Sequence, residues 1–321
     1  MYTPLSSEIP TTDTAGVSRP GLYGFAVELD APEDGVGAWL TPAPPDWPLL
    51  RVRRSVERGA HGAATQGGDG PRALAGASAD GGAATAGDVV MDDIRARVEL
   101  LDGEAIMSRE SREALFRTEA ALDADELVHP MLGYAALAFA NWMGREAFHA
   151  GVFLSGGGAW ALLGRRGAGK SSTLAWLARN GHAIVADDML FLDGRTAFVG
   201  PRAIDLAAAT VAHLGFDEEL EEVRQGFRLR LELAPLAPEH RLAGWVSLAW
   251  GEELEIVPVP APARIPMLIE HGHQPRGEAN WESVLALAEL PTFELRRPHG
   301  LESLADAGEL LLATTAAAGA G

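Results

Sequence analysis

The stretch GAWALLGRRGAGKSSTLAWLAR, residues 158–179, constrains the fold more than any other part of the chain. An apolar run, WALL, enters a glycine-rich turn and leaves it as SSTLAWLAR, a helix-forming segment expected to run from Lys170 to about Arg179 and to stop at Gly181. A strand that passes at once into a helix sets a sheet edge beside a helix N-terminus, the repeating unit of an α/β sheet. Within the turn, Gly164 to Ser171 fits G-x-x-x-x-G-K-[ST] without a mismatch. The glycines permit a tight wrap, and the backbone N–H groups of such a turn, with the helix N-terminus behind it, surround a polyphosphate. The expected phosphate contacts are Gly164, Gly167, Ala168, Gly169, Lys170, Ser171 and Ser172.

Lys170 is the only lysine among 26 basic residues, the other 25 being arginine. A chain that writes its positive charges as arginine keeps lysine where shape forbids the exchange. The ammonium is compact and lies along phosphate oxygens, whereas the planar guanidinium is too wide for the same crevice. The plain alternative is a surface lysine that fell there by accident. Ser171 is the expected Mg²⁺ ligand through its hydroxyl. Arg165 and Arg166, at variable positions of the loop, are expected to face solvent.

The remaining composition narrows the function classes. Lys+Arg 26 against Asp+Glu 45 gives a net charge of -19, a field that repels nucleic acid and anionic membranes. No cysteine is present, so disulfides, thiolate metal sites and cysteine nucleophiles are excluded. No apolar run reaches about 18 residues without a charge or a break, and no basic-then-apolar leader opens the chain, so a cytoplasmic protein is expected. With 321 residues and 47% hydrophobic content the chain can bury a substantial core.

Residues 1–124 read as a β-rich N-terminal region, with a strand at LYGFAVELD and another in PLLRVRRSV. Residues 58–87, rich in Gly and Ala, hold too few large apolar side chains to offset their ordering entropy and read as a disordered loop. The second region, 125–321, opens with a buried helix over 125–143 and continues with two strands joined by the glycines at 156–158. Further strands are expected at TAFVG, GFRLRLEL, AGWVSLAW, LEIVPV and TFELRR, with helices near 278–290 and 301–315.

Asp187 and Asp188 end the apolar strand HAIVADD that follows the loop helix. At a strand end both carboxylates can turn toward a bound anion, one to hold Mg²⁺ and one to take a proton from an attacking hydroxyl; a structural or Mg²⁺-only role for the second is the alternative. His149 lies fifteen residues before Gly164 on the preceding strand; alone it reads as a packed core histidine.

Taken together, HAGVFLSGGGAWALLGRRGAGKSSTLAWLARNGHAIVADD, residues 149–188, resembles the catalytic core of the HPr kinase/phosphorylase family and of its HPr-kinase-like peptide and serine kinases. The likeness rests on His149, the Gly164–Ser171 loop, Gly181-His182 and the Asp187-Asp188 pair, and covers roughly residues 125–205. It implies an α/β P-loop kinase core of the type shared with phosphoenolpyruvate carboxykinase, a mixed central sheet flanked by helices. It implies ATP and Mg²⁺ as cofactors, Asp187 as general base, Asp188 and Ser171 at the metal, and His149 and Lys170 at the reacting phosphate. The acceptor would be a hydroxyl, that of Ser or Thr on a peptide or small protein, or of a small molecule; the family's assemblies point by analogy to a homo-oligomer. An ATP-binding regulatory or scaffold module without transfer, and a simple NTPase, are the alternatives. The chain departs from the family after the acid pair, where TAFVGPRAIDLA carries no acid before Asp205 in place of a metal-binding glutamate and an arginine-glycine-rich signature.

Other candidates are weaker. Arg202 can pair with a phosphate or a carboxylate, or serve a structural ion pair. Arg228, Arg230 and Glu232 share one face of a strand, read as solvated with anion binding as the alternative. His271 and His273 stand in a Gly/Pro-rich loop without a matched third metal ligand. FDEELEEV, residues 216–223, reads as an exposed helix.

Overall fold

The computed structural model describes residues 19–30, 35–57, 89–100, 102–216, 220–223, 228–275, 277 and 279–319. Residues 1–18 and the 58–87 loop of the sequence reading lie outside the described residues. The described chain is mixed α/β, with two large sheets, a three-stranded sheet and helices packed around them.

The N-terminal region forms an eight-stranded sheet. Its strands alternate as half-buried strands should: Arg95–Leu100 buries every second residue, and Glu113–Thr118 pairs with it through Gly103–Ser108. The single strand expected at LYGFAVELD is two, Pro20–Leu22 and Phe25–Leu29. They are joined by a tight turn in which Tyr23 and Gly24 take positive φ of 55° and 80°. That turn delivers Tyr23 into the second region, where its amide donates to the Val199 carbonyl. The largest apolar cluster accordingly joins residues from both regions, among them Leu50, Val98 and Phe116 with Leu132, Phe139, Phe191 and Phe198.

The second sheet has nine strands. Gly158–Leu163, which leads into the glycine loop, lies between Gly151–Ser155 and the long strand Glu239–Trp250. It is antiparallel to the first and parallel to the second. Thr292–Arg297 adds on beyond in the same direction. Ile184–Ala186 pairs antiparallel with Gly151–Ser155, so two reversals leave it parallel to the loop strand. Four strands therefore deliver their C-terminal ends to one edge, where open α/β sheets bind ligands.

Helices cover both faces. Along the loop strand, Trp160 and Leu162 join the cluster under Lys170–Arg179 and Leu304–Gly319, while Ala159, Ala161 and Leu163 join the opposite one under Ala261–His271 and Trp281–Ala288. A strand buried on both faces explains why WALL is continuously apolar instead of alternating. No helix among the described residues is long and apolar enough to cross a membrane.

Several local expectations change. The 125–143 helix is broken: His129 takes φ -147° and ψ 114°, because a residue before proline is pushed out of the helical region, and the regular helix runs Leu132–Trp142. The acid pair does not terminate HAIVADDMLFL but divides it into Ile184–Ala186 and Met189–Asp193, which pair with different neighbours. FDEELEEV is not a helix where it is described, since Glu221–Val223 is a strand paired with Arg228–Glu232. Ala208–Leu214 and Ala261–His271 are helices that the sequence reading did not anticipate, and His271 ends the second of them.

Candidate functional site

The glycine loop and the acid pair meet in a cavity of about 450 Å³ at the common strand edge. Gly167, Gly169, Lys170, Ser171 and Ser172 line it on one side, Asp187, Asp188, His149 and His129 on another, and Leu206, Thr210 and Arg228 close it. Gly164 and Ala168 belong to the same loop but face elsewhere: Gly164 lines an adjoining cavity, and the Ala168 methyl is buried in the helix-side core.

Lys170 is 6% exposed, and its ammonium donates to the Gly164 carbonyl at 2.7 Å and to that of Arg165 at 3.5 Å. Burial holds its pKa below the usual lysine value, while Asp188 and Asp187 act in the opposite sense. Gly169 sits at φ 94° immediately before the helix, a backbone conformation natural to glycine. The Ser171 hydroxyl donates to Asp187 Oδ1 at 3.2 Å, and the Ser172 hydroxyl is hydrogen-bonded to that of Thr210 at 3.0 Å.

The two aspartates are adjacent in sequence and unlike in setting. Asp187 is buried, and its pKa is raised to about 6, first by burial and next by the Asp188 charge, with the Ser171 hydrogen bond opposing. Asp188 is held at φ 69°, uncommon for a non-glycine residue and costly enough that its surroundings must enforce it. Those surroundings are visible: its carbonyl accepts from the Ala150 amide at 3.1 Å and from His149 Nδ1 at 3.1 Å. His149 Nδ1 also lies 3.2 Å from Asp188 Oδ1. A carbonyl and a carboxylate only accept, so Nδ1 carries the proton. His129, brought in by the kink before Pro130, places Nε2 3.7 Å from Asp188 Oδ2. Tyr23 lies beside the pair from the N-terminal sheet. Its pKa is raised well above the ordinary phenol value by burial and then by Asp188 and Asp187, which keeps it neutral.

Arg202 does not reach the cavity. It is 4% exposed, and its guanidinium donates to the carbonyls of Ile184, Val185 and Ala234 at 2.8–3.3 Å. The expected phosphate contact is thus replaced by a brace under the strand that carries Asp187, because those buried carbonyls require donors and the guanidinium fork supplies several at once. The charged face of Arg228–Glu232 is not simply solvated either. Arg230 is buried in a two-point ion pair with Asp205, at 2.8 and 3.0 Å, while Arg228 points into the cavity wall.

Arg165 is exposed and pairs with Glu270, as a solvent-facing residue would, but Arg166 lines the cavity. His271 and His273 line the adjoining cavity of about 300 Å³ together with His149 and Glu270. No group of three or more His, Asp or Glu side chains among the described residues is arranged to hold a metal ion unaided. His129 and Thr210 escaped the sequence reading: the first because its role depends on a kink, the second because a lone threonine in AATVAHL, residues 208–214, stands in no motif that marks a site. Pro130 was the available signal for the first.

No family model matches the chain, and no curated protein matches it. Among solved structures it is similar to the Hpr(Ser) kinase/phosphatase from Coxiella burnetii, at 13% identity, over 52% of this chain and 89% of that one, with a TM-score of 0.29.

Proposed function

We propose that the chain is an ATP- and Mg²⁺-dependent kinase with a P-loop core of the HPr-kinase-like type, which transfers the γ-phosphate to a hydroxyl, that of Ser or Thr on a peptide or small protein. The observation that carries this reading is the meeting of Lys170 and Ser171 with Asp187, Asp188 and His149 in one cavity. A buried ammonium, a glycine loop and a helix N-terminus suit a triphosphate tail. Two carboxylates at its far end would repel that tail unless a cation stood between them, so the donor set fits Mg²⁺ whose other ligands come from phosphate and water.

Mg²⁺, when bound, neutralises charge on the terminal phosphates. The chain's own residues do the rest. Lys170 keeps its ammonium on loop carbonyls and has N–H capacity left for an anion, so it is positioned before any ligand arrives. Ser171 and Asp188 are the donors on the metal side. Asp187, with a pKa of about 6, is ionised at neutral pH yet basic enough to accept a proton from the attacking hydroxyl. His149 fixes the strained Asp188 through Nδ1 and lines the same cavity. Arg202, from beneath, holds the strand that presents the acids. Rate enhancement then comes from alignment and fixed charge, with proton removal as an aid.

The test is transfer from labelled ATP to a peptide library and to cell extract, by wild type and by Asp187→Asn. A kinase loses labelled product in the variant while nucleotide still binds. A pure binder shows no turnover in either protein, and a simple NTPase releases ADP at the same rate with and without acceptors; either result overturns the proposal.

A further inference from the structure

Trp250 ends the long strand Glu239–Trp250, which lies immediately beside the loop strand and runs parallel to it. The residue is 37% exposed, although a tryptophan left in water forfeits much of its burial energy. The ring is held in place: the Arg297 guanidinium lies 4.3 Å from its centroid, and the exposed His299 ring is centred 4.7 Å away. Arg297 and His299 come from the end of Thr292–Arg297, the next strand out. The cluster touches the glycine loop directly. A side chain begun on Gly169 would have its first carbon 3.6 Å from the Trp250 ring and 2.5 Å from Arg297 Nη2.

The order of strands fixes the direction in which a nucleotide can lie. Counting along the edge at about 4.8 Å per strand, the acid pair stands two strands, about 10 Å, to one side of the loop, and Trp250 stands one strand, about 5 Å, to the other. A triphosphate with its terminal phosphate toward the acids therefore sends its sugar and base away from them, toward Trp250. The cavity's remaining wall, Arg166, Asp205, Leu206, Ala207, Thr210 and Arg228, contains no Phe, Tyr or Trp on which a base could stack.

We infer that Trp250, backed by Arg297 and flanked by His299, is the platform on which the nucleobase stacks. The inference rests on the P-loop reading given above and adds to it the half of the ligand that the loop does not touch. The Arg297 guanidinium over the indole fixes the ring before binding, so little side-chain freedom is lost when a base arrives.

The experiment compares the affinity of the purified full chain for ATP and for inorganic tripolyphosphate, in wild type, Trp250→Ala and Trp250→Phe. Tripolyphosphate has the phosphates and no base. The expected result is that Trp250→Ala weakens ATP about tenfold and leaves tripolyphosphate unchanged, with Trp250→Phe recovering most of the loss. The inference is overturned if Trp250→Ala leaves ATP affinity unaltered, which would put the base on the Arg228 side, or if it weakens both ligands equally, which would mean that the loop itself had been disturbed. Failure of wild type to bind tripolyphosphate would instead remove the P-loop reading, and the platform with it.

Discussion

Ser171 donates its hydroxyl to Asp187 Oδ1 across 3.2 Å, tying the first turn of the loop helix to the end of a strand two places away in the sheet. The bond registers the helix N-terminus against the acid pair, so that the loop side and the carboxylate side of the cavity form one unit. It also spares part of the cost of burying Asp187, but not all of it, and the remainder sets how the protein responds to pH.

Removing the Asp187 charge should therefore stabilise the ligand-free protein. The unfolded chain releases this proton near 3.8 and the folded chain at about 6. Between those values the folded state holds the extra proton, so its stabilising contribution is complete below the unfolded pKa and is lost as pH rises through the folded one. At pH 8 the ionised form is expected to cost on the order of 3 kcal/mol. Asp187→Asn keeps an oxygen for Ser171 and should raise the urea midpoint at pH 8 while changing it little near pH 4. Transfer activity should rise with pH through about 6 in wild type. A variant less stable at pH 8 would contradict the burial argument.

Gly169→Ala tests how closely the loop is backed. Its φ of 94° strains any side chain, and the new carbon would meet Arg297 Nη2 at 2.5 Å. That guanidinium is buried, donates through Nη1 to the Gly300 carbonyl and lies over the Trp250 ring, so it gives way only by loosening those contacts. Gly181, at φ 82°, has nothing within 4 Å of the same added carbon. Gly181→Ala should cost about 1–2 kcal/mol, the backbone term alone, and leave tripolyphosphate affinity intact. Gly169→Ala should cost more and abolish that affinity; equal behaviour of the two variants in urea unfolding and binding would refute the backing role.

Lys170 was legible because its meaning is local: eight consecutive residues specify the turn, and the helix that follows begins at Lys170 and ends at Arg179 as the pattern predicts. The strand–loop–helix unit and the apolar strands around it were legible for the same reason. Arg202 was not, because its carbonyl partners lie 17, 18 and 32 residues away and no pattern near position 202 announces them. Arg230 and Asp205 are likewise 25 residues apart, and the strand alternation that marks Arg230 as surface is overridden because Asp205 is its direct cross-strand partner and the Trp39 ring packs over its guanidinium. The Ala261–His271 helix was hidden by Pro262 and Pro266, the second of which sits inside it and argues locally against a helix.

The exchange of Lys170 for arginine should fail despite the conserved charge. Only 6% of this residue is exposed, and its ammonium rests on Gly164 O at 2.7 Å, a space without room for a planar fork. Both Lys170→Arg and the uncharged Lys170→Met are expected to weaken tripolyphosphate about ten- to hundredfold by calorimetry, the worth of one charged hydrogen bond. Retained affinity in Lys170→Arg would show that charge alone suffices and that the lone lysine has no geometric reason.

Arg202 separates bracing from ligation. Its guanidinium satisfies the Ile184, Val185 and Ala234 carbonyls at once, and its pKa is lowered to about 10 by burial, so it stays charged at neutral pH. A lysine ammonium on a flexible stem cannot match that three-way geometry. Arg202→Lys should therefore lose about 2–3 kcal/mol in urea unfolding, as buried carbonyls go unpaired. Tripolyphosphate affinity should stay within about twofold of wild type, since no phosphate contact is removed. Transfer should slow, because the strand carrying Asp187 loses its support. The opposite pattern, unchanged stability with an affinity reduced about tenfold, would restore Arg202 to the phosphate and remove it from beneath the strand.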